Sequence, residues 1–183
     1  MANSAIAFRY AKSLFQLAGE QNNLEAVYAD MIKLSNVCKN ANDFRLLLKS
    51  PLIKTDKKIS ALKEILKGQI SEVTDKFIVL LAKNKRESYL DKIAEEFIDQ
   101  YKTKMNISVV VITSAIQLDE PTRKKLIKIL TNHLKATIEL HEKIDPKIIG
   151  GFVLTVGNRQ ADMSVLKQLK SLNKNFNQSY ILN

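Results

Sequence analysis

Apolar residues recur at helical spacing through roughly the first hundred positions, and the spacing predicts six helices before the pattern changes. The first helix is read over residues 4 to 18. With each residue turning about 100°, Ile6, Ala7, Phe8, Tyr10, Ala11, Leu14, Phe15, Leu17 and Ala18 fill an arc of roughly 200°. Arg9, Lys12, Ser13, Gln16 and Glu20 fill the rest. One neighbour in a bundle needs an apolar stripe of only about 100°. The first helix therefore has apolar surface to spare. Either it is wedged between two helices of its own domain, or it offers a groove to another chain.

The second helix, Leu24 to Cys38, carries Leu24, Val27, Tyr28, Met31, Ser35 and Cys38 on one side. Asp43 is placed to cap a short third helix ending near Leu48. Ser50-Pro51 then breaks the chain, because a residue before proline avoids helical backbone. Thr55 opens a fourth helix with Ile59, Leu62, Ile65 and Leu66 inward, and Gly68 stops it. The fifth, Ser71 to Lys83, contains the run Phe77 to Ala82, in which every residue is apolar. Such a run wraps right round a helix and predicts burial on more than one side. The sixth, Leu90 to Tyr101, is single-striped: Leu90, Ile93, Ala94, Phe97, Ile98 and Tyr101 oppose Asp91, Lys92, Glu95, Glu96 and Asp99.

Near Lys104 the period shortens. Ile107 to Ser114 is β-branched and reads as a strand apolar on both faces. Asp119 caps a helix with Pro121 in its first turn, and Leu126, Ile129, Leu130 and Leu134 are its expected buried face. From Thr137 to Ile144, Ile138, Leu140 and Ile144 point inward against Glu139, His141 and Lys143. Gly150 and Gly151 precede the alternating strand Phe152 to Val156, Gly157-Asn158 supplies a tight turn, and a short return strand follows. Ser164 caps a last helix with Val165, Leu169, Leu172 and Phe176 on one face, and Tyr180 to Asn183 is read as a loose tail. The fold class expected is α+β. A six-helix bundle over residues 1–104 precedes a small β-α-β-β-α domain over residues 105–183, its sheet covered by two helices.

Composition narrows the function classes. No apolar run approaches the roughly 20 residues of a membrane span. The start, Met1 to Phe15, lacks a basic leader followed by a hydrophobic block and reads as mature protein. The single cysteine, Cys38, excludes an internal disulfide and fits a reducing compartment, so a soluble cytosolic chain is expected, able to sit on a membrane complex. The net charge is +10, with eighteen basic against thirteen acidic residues up to Lys104 and eleven against six after it. The excess is shared rather than gathered in one arm. The densest cluster, Arg123, Lys124, Lys125 and Lys128, lies on the polar side of a helix. It serves as a solvated face or as a docking surface for an acidic partner. A nucleic-acid-binding protein is the competing reading, but the strands lack the aromatic platforms of single-strand binders.

Catalytic chemistry is not visible. His133 and His141 have no Cys or carboxylate at ligand spacing, and His141-Glu142 does not continue as HExxH. The glycines flank a strand and no Gly-Lys-Ser/Thr follows them, so there is no phosphate loop, and GxGxxG and G-x-S-x-G are absent. Cys38 continues a helix stripe as a small core residue. No cofactor, metal or catalytic residue is expected.

Taken in order, these residues resemble the delta subunit of rotary F-type ATP synthases, the bacterial counterpart of the mitochondrial oligomycin sensitivity-conferring protein. The resemblance runs over almost the whole chain. It is carried by Arg9-Tyr10-Ala11 with Leu14-Phe15 and Leu17-Ala18, by Ser50-Pro51-Leu52-Ile53, and by Phe77 through Leu81 to Asn84-Lys85-Arg86. In the second half it takes in Ser114-Ala115, Leu118, Asp145, Ile149-Gly150-Gly151, Gly157, Asp162 and Ser164. Met163, where the family usually has glycine, and Leu166-Lys167-Gln168 depart from its pattern.

The resemblance implies a non-catalytic stator at the cytoplasmic side of a bacterial plasma membrane, touching the membrane only through its complex. Its helical domain would bind the N-terminal helix of an alpha subunit, and its smaller domain the peripheral-stalk b subunits. The family's groove lies between the first and fifth helices, the two with surplus apolar surface here. Ala7, Tyr10, Ala11, Leu14, Phe77, Ile78 and Leu81 are thus the expected lining. Gly150, Gly151, Gly157, Asp162 and Ser164 are the expected structural signature. No nucleic acid is expected as a partner.

Overall fold

The computed structural model describes residues 2–169 and 171. Two compact units divide between Lys104 and Met105. The first contains α1 (Ala2–Glu20), α2 (Leu24–Asn40), α3 (Asn42–Lys49), α4 (Thr55–Leu66), α5 (Glu72–Lys83) and α6 (Leu90–Lys104), with a 3-10 turn at Glu87–Tyr89 leading into α6. The second contains β1 (Ile107–Ser114), α7 (Glu120–Leu134), β2 (Thr137–Ile144), β3 (Phe152–Val156) and β4 (Arg159–Asp162). The α+β class read from the sequence is the class observed. Among the described residues no helix is long and apolar enough to cross a membrane.

In the first unit α6 is the spine, packed along α1 and α2. Its single stripe dictates this: Leu90, Ile93, Ala94 and Phe97 are fully buried. Each large apolar side chain so placed contributes about 1.5–3 kcal/mol. The Phe97 ring tilts against Phe15 at 5.8 Å between centroids, and Tyr101 stacks on Tyr28 at 3.9 Å. From α1 the core receives Ala7, Ala11, Leu14 and Ala18, small enough at three of four positions for α6 to lie close. From α2 it receives Val27, Met31, Leu34 and Cys38. Burial pushes the Cys38 thiol up to about 11, Asp91 adding to the effect, so the residue is an inert core group.

Polar ties position α4 and α5. Ser71 caps α5, its Oγ accepting from the Thr74 amide at 3.4 Å, and the buried Asp30 carboxylate accepts from the Ser71 amide at 2.7 Å. Lys33 donates to the Gln69 carbonyl at 2.9 Å. The α4 stripe is Lys58, Leu62 and Leu66, four residues apart, and not the expected Ile59, Leu62, Ile65 and Leu66. Ile65 is rotated off the stripe and exposed, and Ile59 is half-buried. Lys58 is tolerated inside because its Nζ donates to the Leu48 carbonyl at 3.2 Å and pairs with Glu87 Oε1 at 2.6 Å. The third helix begins at Asn42, so Asp43 stands in its first turn rather than at its cap.

In the second unit the strand order is β2-β1-β3-β4. β1 and β2 are parallel, joined by α7 as a crossover, while β1–β3 and β3–β4 are antiparallel. Register sets Val110 beside Leu140 and Val156, and Ile112 beside Leu154. These side chains form a core with Leu118, Leu126 and Leu130. The inward face of α7 is therefore Arg123, Leu126 and Leu130, Arg123 Nε donating to Glu142 on β2 at 2.6 Å. Ile129 and Leu134, expected inside, are exposed on the helix flank. Ile144 is also exposed, since it is the last pair of the β1–β2 ladder, beyond the Arg123–Glu142 tie.

Candidate functional site

The surplus apolar surface on α1 resolves into two stripes. Ala7, Ala11, Leu14 and Ala18 face α6 in the core, while Ile6, Tyr10, Ser13 and Leu17 form a second row at spacings of three or four residues. Ile6 and Tyr10 are half-buried, and Leu17 is 41% exposed. A similar division splits α5. Thr74, Phe77, Ile78, Leu81 and Ala82 are buried, but Leu80 is 47% exposed and Val73 and Val79 are half-buried. Burial on more than one side of the fifth helix is thus only partly observed. Among the described residues no element covers Leu80.

The second α1 row and the open side of α5 border two depressions. One, of about 350 Å³, is lined by Ile6, Arg9, Tyr10, Ser13 and Arg86. The other, of about 300 Å³, lies between the end of α1 and the start of α5, where Leu17, Val73, Lys76, Phe77 and Leu80 contribute. Tyr10 stands between them, its ring meeting Phe77 edge-on at 6.4 Å between centroids. The helices approach here through large side chains rather than backbone, which leaves a furrow. Lys76 pairs with Glu72 at 2.6 Å on its rim, and the Lys76 ammonium, hydrogen-bonded to Glu72, holds that carboxyl below the usual range.

Of the seven lining residues expected from the sequence, Tyr10 is at the furrow and Phe77 at its floor. Ala7, Ala11, Leu14, Ile78 and Leu81 lie buried within the bundle. Ile6, Ser13, Leu17, Val73 and Leu80 were not singled out for this role. For Ile6 and Leu17 the signal was present in the 200° arc, because the half of α1 carrying the alanines is the half suited to close packing.

The glycine-bearing signature gathers in the second unit. Gly151 has φ +76°, and a Cβ there would stand 2.4 Å from the Met163 carbonyl oxygen. Val165 donates from its amide to the Gly150 carbonyl at 2.9 Å, and Met163 to Phe152 at 3.0 Å. Asp162 Oδ1 accepts from the Ser164 amide at 2.9 Å, and Ser164 Oγ accepts from the Lys167 amide at 3.2 Å. Ser164 thus caps the helical residues that follow β4. Gly157, at φ +54°, makes the β3–β4 turn. Val165 and Leu169, read as sharing one face of the last helix, are exposed, while Leu172, Phe176 and the tail from Tyr180 to Asn183 lie outside the described residues.

Nothing in these arrangements assembles a nucleophile, base or ligand set, and among the described residues no cluster could hold a metal ion. What the molecule offers is surface. A family model described as the ATP synthase delta (OSCP) subunit matches residues 6–176. This chain belongs to that family. It is 35% identical over 181 residues to the ATP synthase subunit delta of Cytophaga hutchinsonii, with 99% of each chain covered. It is 36% identical to that of Christiangramia forsetii, covering 95% of this chain and 94% of the relative. A chain of the Toxoplasma gondii mitochondrial ATP synthase hexamer, 26% identical, superposes with a TM-score of 0.70 over 97% of both chains.

The delta subunit is a non-catalytic stator component of the F-type ATP synthase, serving ATP synthesis and proton transport. The resemblance carried by Arg9-Tyr10-Ala11 through Ser164 is therefore borne out. The nucleic-acid reading gives way to membership of this complex.

Proposed function

We propose that this stator subunit works as a two-ended tie. The furrow of α1 and α5 takes the N-terminal helix of the synthase's alpha subunit. The second unit takes the far end of the peripheral-stalk b subunits, and the complex sits at the cytoplasmic side of a bacterial plasma membrane. The observation that carries the reading is the row of half-buried Ile6 and Tyr10 and exposed Leu17 on α1, beside Phe77 and exposed Leu80 on α5. Such a row is what an amphipathic helix buries when it lies in a groove. The lining on this reading is Ile6, Tyr10, Ser13, Leu17, Phe77 and Leu80, with Ala7, Ala11, Leu14, Ile78 and Leu81 supporting it from behind. A stator needs firm hold without turnover. Two modest contacts on one chain make each rebinding intramolecular, at effective concentrations of about millimolar for short connections. The +10 charge favours encounter with acidic surfaces and loses influence as salt screens it.

The test is a titration of the full chain with a peptide of the alpha subunit's N-terminus. The chain has no tryptophan, so one tryptophan in the peptide reports without background. Saturable binding, weakened by Tyr10→Asp and by Leu80→Asp but not by Lys12→Asp on another face of α1, is the expected result. Absence of binding, or equal binding by all three variants, would remove the groove assignment.

A further inference from the structure

The furrow is not uniform along its length. Its row on α1 runs from Ile6 to Leu17, a rise of about 16 Å at 1.5 Å per residue, or roughly three helical turns. At the Ile6 end stand two guanidinium groups, Arg9 and Arg86, with Tyr10 and Ser13, and among the described residues no carboxylate lines that depression. Arg86 is held with its guanidinium carbon 5.8 Å from the centroid of the Tyr89 ring. Arg9 Nε makes one hydrogen bond, to the Ala5 carbonyl at 3.4 Å. Each guanidinium carries five N–H donors in a fork that matches a carboxylate, so donors remain at both. At the Leu17 end the charges that line the furrow, Glu72 and Lys76, pair with each other. Among the described residues, one end thus has two cations with no carboxylate beside them, while the charges at the other end pair with each other.

We infer that the furrow reads its occupant by an acidic anchor. The helix it takes spans about three turns, carries apolar residues for the Tyr10–Phe77 and Leu17–Leu80 stretch, and places an Asp or Glu against Arg9 and Arg86. The anchor sets the direction in which the helix lies, because reversing it would bring apolar residues over the two guanidiniums and leave the carboxylate beside Glu72. Like charge placed so is a penalty that discriminates against the wrong orientation. This inference rests on the groove reading above and adds to it the polarity of the partner.

The experiment uses the full chain and the alpha-subunit N-terminal peptide, followed by fluorescence anisotropy at several salt concentrations. Arg9→Gln with Arg86→Gln is expected to weaken binding roughly threefold to tenfold at low salt and to flatten its salt dependence. Lys12→Gln changes little. Neutralising one particular carboxylate of the peptide reproduces the loss and adds nothing further on the double variant. Arg9→Lys with Arg86→Lys, which retains charge and stem, keeps most of the binding and separates a charge effect from a folding one, with circular dichroism of each variant as the check. Unchanged affinity of the double Gln variant, while Tyr10→Asp still abolishes binding, overturns the anchor and leaves the groove. A wild-type chain that does not bind, or binds regardless of Tyr10→Asp, overturns both.

Discussion

At the scale of single residues, the groups that hydropathy classifies worst carry much of the specificity of the bundle. Lys58 lies on the α4 stripe, four residues before Leu62, with a side chain 5% exposed against Glu87 at 12%. Removing one partner of a buried pair leaves the other charge without its counter-ion, at a cost of about 3–5 kcal/mol. Lys58→Ala is therefore predicted to lower unfolding stability by about 3 kcal/mol in urea titrations. Lys57→Ala, on the exposed side, should stay within about 0.5 kcal/mol of wild type. Equal midpoints for the two variants would refute the clamp. Lys58 falls four residues before Leu62, yet the apolar pattern placed Ile59 inward instead. The capping carbonyl of Leu48 and the carboxylate of Glu87 come from elsewhere in the chain, where spacing within one helix cannot reach.

Cys38 gives a pH prediction. In the folded chain its thiol keeps its proton up to about 11, against an ordinary value of 9.0. Between those values the unfolded chain has released the proton and the folded chain has not. Stability contributed by this group is whole below pH 9.0 and is lost as pH rises toward about 11. Denaturant midpoints measured across that window should fall less steeply for Cys38→Ala than for wild type. Parallel slopes would contradict the burial argument.

At the scale of elements, the helices were legible because each carries a periodic stripe, and the strands because β-branched runs and glycine turns bound them. The faces of two-sided elements were not. On α1 an arc of apolar residues says that two neighbours are possible, but not which half meets α6. On α7, Arg123 takes an inward position through its tie to Glu142, and so turns Ile129 outward. Both cases depend on contacts between elements distant in sequence. The β3–β4 turn and the Ser164 cap were read well, since they answer to local geometry. Gly151→Ala would put a Cβ 2.4 Å from the Met163 carbonyl at a φ of +76°. That substitution should destabilise the second unit by about 2 kcal/mol or more, given backbone contact on top of left-handed strain. Hydrogen exchange is the suitable readout: faster exchange at Met163 and Val165, with the α1–α6 amides unchanged, is expected. Unaltered protection at both residues would count against the close approach.

At the scale of the whole molecule, the chain contains two folded units and no catalytic site among the described residues, which suits a part whose task is to resist torque. Composition gave the absence of catalytic motifs, and the order of short motifs gave the family. Neither could tell which side chains border the furrow, which depends on how α1 and α5 meet through Tyr10 and Phe77. The central claim is that this furrow is the subunit's grip on the catalytic head. Its most direct test is a synthase rebuilt in membrane vesicles with Tyr10→Asp and Leu80→Asp in this subunit, measuring ATP hydrolysis and ATP-driven proton pumping together. The prediction is that hydrolysis continues while pumping per ATP falls roughly tenfold, since on this account both substitutions fall at the centre of the contact with the head. Pumping per ATP equal to wild type, with the variant subunit folded and the head still depending on it for attachment, would contradict the account.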